Sequence, residues 1–175
     1  VAHRIVVMGV SGCGKSTLAA RLAQALDGVF IEGDDHHPAP SREKMRQGIA
    51  LCDSDREPWL DQLSARMNAN EGATVLSCSA LKRTYRERLR ARVDSLRFVF
   101  LDIALPEATK RVSSRSGHSF PASLVADQFA TLEPPGGEAG VLCVDAVQPI
   151  EHNLDAAMQW IRVPSGDEPI LQAAK

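Results

Sequence analysis

The sequence predicts an α/β fold, a three-layer α/β/α sandwich in which helices cover both faces of a five-stranded parallel sheet. Three observations carry that expectation. Short apolar runs rich in β-branched and aromatic residues alternate with longer stretches of helical periodicity. Those runs are apolar at consecutive positions, as strands buried on both faces must be. The first strand-to-helix junction reads Gly9-Val10-Ser11-Gly12-Cys13-Gly14-Lys15-Ser16-Thr17, a complete G-x-x-x-x-G-K-[ST] pattern in the place where a phosphate-binding loop stands.

The elements follow in order. Residues 5–8 form the first strand, and a helix over 15–26 follows until Asp27-Gly28 stops it. Residues 29–31 form a short second strand. A polar stretch with Pro38 and Pro40 opens a helix over 41–47, with Glu43 favourable to its N-terminal dipole. Pro58 starts the next helix, whose Trp59, Leu60, Leu63 and Met67 share one face, and Asn70-Glu71-Gly72 ends it. Residues 74–77 are the third strand, 81–93 a strongly basic helix and 98–101 the fourth strand. Pro106 begins a helix reaching about Ser114, and a polar segment over 115–122 leads to a helix over 123–132. The fifth strand spans 141–144 and the last helix 150–160. One domain over 1–163 holds all of these, with a lid over about 111–135. The tail over 164–175 is expected to be loosely held.

A formal net charge of −2 over 175 residues leaves no electrostatic footprint for nucleic acid or an anionic membrane, and neither is an expected partner. There is no apolar run of about 18 residues and no signal-peptide core, so the expected location is the cytoplasm. Four cysteines, Cys13, Cys52, Cys78 and Cys143, lack any C-x-x-C spacing, which suits a reducing compartment. Cys13 reads as a tolerated small residue in the loop or as a redox-sensing thiol.

The loop has a physical logic. Its glycines let the backbone curl so that successive N–H groups point at phosphate oxygens. The helix behind it adds the positive end of its dipole. Lys15 is placed to reach the β- and γ-phosphates and Ser16 to ligate Mg²⁺. A nucleoside triphosphate site is therefore expected over Gly9, Ser11, Gly12, Cys13, Gly14, Lys15, Ser16 and Thr17. The D-x-x-G and N-K-x-D patterns of GTPases do not occur in the chain. Residues 98–101 followed by Asp102 imitate the acid-ended strand of a motor ATPase, or form a core strand with a capping Asp.

Chemistry at an acceptor is expected after the second strand, at Glu32-Gly33-Asp34-Asp35-His36-His37-Pro38. A small-molecule kinase needs a carboxylate that orients the acceptor hydroxyl and takes its proton. Asp34 is best placed for this, with Glu32 able to assist Mg²⁺ through water. The alternative is an acidic turn that caps the next helix. The adjacent His36 and His37 point apart and make no zinc site. Asp53-Ser54-Asp55-Arg56-Glu57 sets an arginine among carboxylates. It recognises an anionic substrate by a bidentate fork, or the charges pair with one another at the surface. Ser79, Lys82, Arg83, Tyr85 and Arg86 set donors after the third strand, as an acidic polyol needs, while Arg88, Arg90 and Arg92 read as a solvated face. Arg111 and Arg115 stand four apart on one helix face ahead of Gly117. That suggests a mobile lid whose arginines stabilise charge on the transferring phosphoryl group.

Taken together, the series resembles the gluconate kinases, relatives of shikimate and adenylate kinases among the P-loop small-molecule kinases. The matching pieces are Met8 to Gly12, Gly33-Asp34 with His37-Pro38, and Glu43-Lys44-Met45 with Gly48. Then come Asp53, Asp55-Arg56 and Pro58-Trp59-Leu60, followed by Cys78 to Lys82 with Tyr85-Arg86. Arg115, Gly117-His118, Gln128-Phe129, Leu132-Glu133-Pro134, Val144-Asp145 and Gln148-Pro149 complete the series. The resemblance implies phosphorylation of D-gluconate at its terminal hydroxyl, using ATP and Mg²⁺, to give 6-phosphogluconate. It also implies a cytosolic homodimer that feeds the pentose phosphate and Entner–Doudoroff routes. By position it implies catalytic roles for Lys15, Asp34 and Arg115, with Asp34 as the acceptor-orienting base and Arg115 on phosphate. His37, Arg56, Lys82 and Arg86 would surround gluconate. Arg111 would flank adenine, and the loop holding Asp145, Gln148 and Pro149 would close over the base. Cys13 stands where a serine is usual, and Asp35-His36 replace apolar residues, adding charge beside the acceptor. Charge alone does not separate gluconate from shikimate, since both are hydroxylated carboxylates. A regulatory nucleotide-binding protein without catalysis is the rival of another class. The presence of Lys15, Ser16, Asp34 and both lid arginines argues against it.

Overall fold

In the computed structural model, which describes residues 2–115 and 123–164, the five expected strands form one sheet. They are β1 (Arg4–Met8), β2 (Val29–Glu32), β3 (Thr74–Ser77), β4 (Leu96–Asp102) and β5 (Val141–Asp145). All pairs are parallel and the order across the sheet is β2-β3-β1-β4-β5. The helices are α1 (Lys15–Ala25), α2 (Ala39–Arg46), α3 (Asp53–Asn68), α4 (Arg83–Arg90), α5 (Leu105–Ser114), α6 (Ser123–Thr131) and α7 (Ile150–Ile161). The predicted three-layer α/β/α arrangement is the observed one.

The strand pleat sends alternate side chains to opposite layers. Ile5, Val7, Val75, Val99 and Leu101 meet Leu18 and Leu22 of α1, Val112 of α5 and Ala157 of α7. Val6, Met8, Leu76, Phe98 and Phe100 meet Trp59, Leu60, Leu63 and Met67 of α3 and Leu89 of α4. Each of these large side chains contributes about 1.5–3 kcal/mol of transfer free energy, which is why strands apolar at every position are stable here. Buried Arg97 of β4 donates to the carbonyls of Trp160, Ile161 and Val163 and so caps the end of α7. Among the described residues, no helix is long and apolar enough to cross a membrane.

Two expectations are corrected. Helix α3 begins at Asp53, ahead of Pro58, which lies inside it. A capping box accounts for the earlier start, with Asp55 Oδ2 accepting from the Cys52 N–H at 3.0 Å. Pro58 then removes one intrahelical donor without ending the helix. Helix α4 is shorter than expected, and its arginines are not a solvated face. Arg88 pairs with Asp61 at 2.7 Å and Arg92 with the same carboxylate at 3.0 Å, which ties α4 to α3. Arg90 joins Glu138 and lays its guanidinium over the Phe98 ring, 4.7 Å from the centroid.

Candidate active site

The site lies at the carboxyl ends of β1, β2 and β3, where open parallel sheets bind ligands. The chain leaves β1 through Gly9, whose N–H donates to Ser79 O at 3.3 Å. It then curls through Gly12 (φ 85°) and Gly14 (φ 90°), both in the region that favours glycine. At Gly12 the turn also needs the absence of a side chain, because a Cβ would come within 2.8 Å of Ala108 O in α5. Gly14 caps α1 without any side-chain acceptor, so the first-turn N–H groups of that helix remain available to an anion. A triphosphate fits this arrangement.

Lys15 is buried beside the loop. Burial opposes its charge, the carboxylates of Asp34 and Glu32 nearby favour it, and the ammonium's pKa lies above its ordinary value. Cys13 is buried too, and burial raises its thiol pKa, so it is a neutral packing group rather than a reactive thiolate. Cys78 behaves likewise, pushed up to about 12 by burial. Ser16 Oγ lies 3.2 Å from Ser77 Oγ at the end of β3. Ser16 is the protein ligand available to a Mg²⁺ that takes its remaining oxygens from phosphate and water.

The opposite wall of the site is built from β2. Gly33 follows the strand so closely against β3 that a Cβ would fall 2.3 Å from Ser77 O. Its carbonyl accepts the Trp59 indole N–H at 2.8 Å. A single 3-10 turn over Gly33–His36 then presents Asp34, whose N–H is received by Glu32 Oε1 at 3.4 Å. His37 is buried and stacks on Trp59. Its Nε2 lies 3.6 Å from Asp34 Oδ1, and its buried Nδ1 has no partner among the described residues. Arg56, on the first turns of α3, is buried with an unpartnered Nε. One cavity is lined by Ser11, Lys15, Asp34, His37, Arg56 and Ser79. An ammonium, a carboxylate and a guanidinium therefore line one cleft.

Other predicted residues lie outside that cavity. Arg86 is corrected: its Nε meets Glu138 at 3.0 Å, and its remaining donors go to Glu138 and to the carbonyls of Ala80, Leu81 and Glu133. With no exposed surface and every N–H committed, it anchors the chain around residues 133–138 instead of touching an acceptor. Lys82 pairs with Asp53 at 2.9 Å, and the Tyr85 hydroxyl donates to the same carboxylate at 2.5 Å, beside Arg56. Arg111 spans the phosphate loop and the segment after β5, 3.4 Å from both Gly12 O and Ala146 O. In that segment the Val147 N–H donates to Asp145 Oδ1 at 3.0 Å, and Pro149 is the residue just before α7. Arg115 is exposed and lies just beyond the end of α5 in an extended conformation, so it does not share a helix face with Arg111. The stretch 116–122, with Gly117 and His118 of the expected lid, lies outside the described residues, as does 165–175 of the tail.

The cavity also contains residues that sequence reasoning missed. Met45, Ile49, Ala50 and Leu51 form an apolar wall, and Leu124, Asp127, Gln128 and Thr131 of α6 form another. The Ser11 N–H donates to Gln128 Oε1 at 2.7 Å, joining α6 to the phosphate loop. Gln128 stood in the family series without a role, and helical spacing could have revealed the rest of the α6 face, since 124, 128 and 131 fall one turn apart. Residues 49–51 carry no periodic signal.

A family model described as an AAA domain matches residues 5–135. The gluconokinase of Gluconobacter oxydans is 49% identical over 144 residues, 80% of each chain. The chain belongs to the gluconokinase family. Within that family, the thermoresistant gluconokinase of Escherichia coli is 38% identical over 164 residues, covering 91% of this chain and 94% of its own. The crystal structure of a gluconokinase from Sinorhizobium meliloti superposes with a TM-score of 0.82 at 44% identity, covering 90% of both chains.

Proposed function

We propose that this chain transfers the γ-phosphoryl group of ATP to the terminal hydroxyl of D-gluconate, giving 6-phospho-D-gluconate and ADP. The observation that carries this reading is the single cavity shared by Lys15, Asp34, His37 and Arg56. Arg56 receives the acid's carboxylate by charge-assisted hydrogen bonds. That leaves the far end of the polyol toward Asp34 and the phosphate loop. Asp34 orients the terminal hydroxyl and takes its proton as the new O–P bond forms and the bond to the β-phosphate oxygen breaks. Lys15, with the N–H groups of Gly12, Gly14, Ser16 and Thr17, holds the phosphates in line. Mg²⁺, held through Ser16, supplies neutralisation of charge on the phosphate oxygens. His37 closes the floor of the pocket on Trp59, and Lys82 steadies Asp53 beside Arg56.

Arg111 is assigned to the adenine side, between Gly12 and Ala146, with Asp145, Gln148 and Pro149 closing over the base. Arg115 is assigned to the phosphates from a lid over about 111–135. The proposal includes a homodimer in the cytoplasm whose product enters the pentose phosphate and Entner–Doudoroff routes, and for these the support is the family resemblance alone.

The test is ADP release from Mg²⁺-ATP with D-gluconate, shikimate or no acceptor at equal concentration. Release stimulated by gluconate alone is expected. Equal slow release in all three would overturn the reading.

A further inference from the structure

Helix α6 closes one side of the cavity through Leu124, Asp127, Gln128 and Thr131. Thr131 spends its hydroxyl proton on the Asp127 carbonyl at 2.9 Å. Gln128 is engaged differently, with Oε1 accepting the Ser11 N–H at 2.7 Å across 117 residues of chain. A backbone N–H can only donate, so the atom facing Ser11 has to be the amide oxygen, and the side chain's orientation follows from that chemistry. The NH₂ end is turned away from Ser11, on a residue that lines the same cavity as Lys15, Asp34 and Arg56. Among the described residues, Nε2 has no hydrogen-bond partner. A neutral donor, anchored at its other end to the phosphate loop, thus sits on a residue of the cavity wall.

We propose that Gln128 is a specificity-determining residue for the acceptor, donating from Nε2 to an internal hydroxyl of the polyhydroxylated acid while Oε1 stays on the Ser11 N–H. This rests on the gluconate-phosphorylating reading of the pocket. It supplies what Arg56 cannot: a guanidinium reads the acid's charge, whereas a neutral amide reads the presence of a hydroxyl. An acceptor without that hydroxyl leaves the donor without its partner in the complex, which discriminates more sharply than a missing apolar contact. It also ties hydroxyl recognition to the position of the phosphate loop, through one amide bonded at both ends.

The experiment measures kcat/KM for D-gluconate and for the set of D-gluconates each lacking one internal hydroxyl. Wild type, Gln128→Leu and Gln128→Met are compared. Wild type is expected to lose about tenfold or more on one member of the set. Gln128→Leu is expected to be slower with gluconate and to treat that member and gluconate alike. Gln128→Met is close in length and neutral but offers no donor to the hydroxyl, so it loses the same discrimination and decides the matter if the leucine variant is unstable. Wild-type discrimination in both variants, or an equal decline on every acceptor, would overturn the role of Gln128. A wild type without turnover on D-gluconate would overturn the functional reading and this inference with it. A wild type active on gluconate with no such coupling overturns the Gln128 inference alone.

Discussion

The imidazole of His37 lies against the indole of Trp59 with ring centroids 4.0 Å apart and planes inclined by 19°. The same indole donates to Gly33 O at 2.8 Å. One buried side chain therefore holds both ends of the turn that carries Asp34. Trp59→Phe keeps the stacking surface and removes the donor. The expected result is a stability loss of about 1 kcal/mol and a lower kcat, with the KM for ATP unchanged. Thermal melts and steady-state kinetics check it, and wild-type values for both would show that the turn is held by other contacts.

Asp34→Asn retains the shape of the side chain and removes its basicity. Turnover should fall roughly 100- to 10,000-fold, the usual reach of a positioned general base. ATP binding by calorimetry should stay close to wild type. Full activity would remove Asp34 from the chemistry.

Arg56→Ala should act on the acid rather than on turnover. Charge-assisted hydrogen bonds are worth about 1.5–3 kcal/mol, so the KM for gluconate is expected to rise about 10- to 100-fold. Arg56→Lys should recover only part of this, because an ammonium cannot form the two-pronged contact. An unchanged KM for gluconate in Arg56→Ala would move the carboxylate site elsewhere.

Asp55 gives the fold an acid-sensitive joint between α2 and α3. The Lys44 ammonium, with the Cys52 thiol and N–H, holds its carboxyl down to about 2. An unfolded aspartate titrates near 3.9, so between the two values the unfolded chain binds more protons than the folded one. The stabilisation is fully present above about pH 4 and is lost as pH falls toward 2. Asp55→Asn should therefore lower Tm at neutral pH and flatten the decline of Tm across that window in a pH series of melts. Parallel declines in both proteins would place the acid sensitivity in other carboxylates.

Glu138→Gln tests the anchor at Arg86. Removing the carboxylate leaves a buried guanidinium without its counter-charge, at an expected cost of about 3 kcal/mol in a denaturant melt. The KM for gluconate should not move at temperatures where the variant is folded. A gluconate-specific KM rise with normal stability would return Arg86 to the acceptor site.

Much of this was legible because it is written locally. The strands are unbroken apolar runs, and the phosphate loop and the Gly33-Asp34 turn are consecutive residues. What escaped depends on partners far along the chain. Arg86 meets Glu138, 52 residues away, and Arg88 meets Asp61, 27 residues away, so spacing alone could not tell an anchor from a ligand or a solvated face. The start of α3 escaped because its cap is a cysteine, which is seldom used at that position, and a proline five residues on read as a beginning. The walls of the cavity escaped because residues 49–51 have no periodicity and the α6 face acquires meaning only against Ser11.

The strand order fixes a ruler. Because β3 lies between β1 and β2, the phosphate loop and the Asp34 turn start from strands two spacings apart, about 10 Å at the usual inter-strand distance. That gap is set by backbone hydrogen bonding and spanned from below by Ser77 and Ser79, so it does not vary with the side chains that choose the acceptor. The wall formed by Met45, Ile49, Ala50 and Leu51 can be exchanged for another without changing that distance, whereas Trp59 of α3 and Gln128 of α6 are bonded to the Asp34 turn and to the phosphate loop. Acceptor preference can thereby vary at that one wall without altering the geometry of transfer, and a designer wishing to redirect this chain to another hydroxy acid should edit it first and leave the sheet alone.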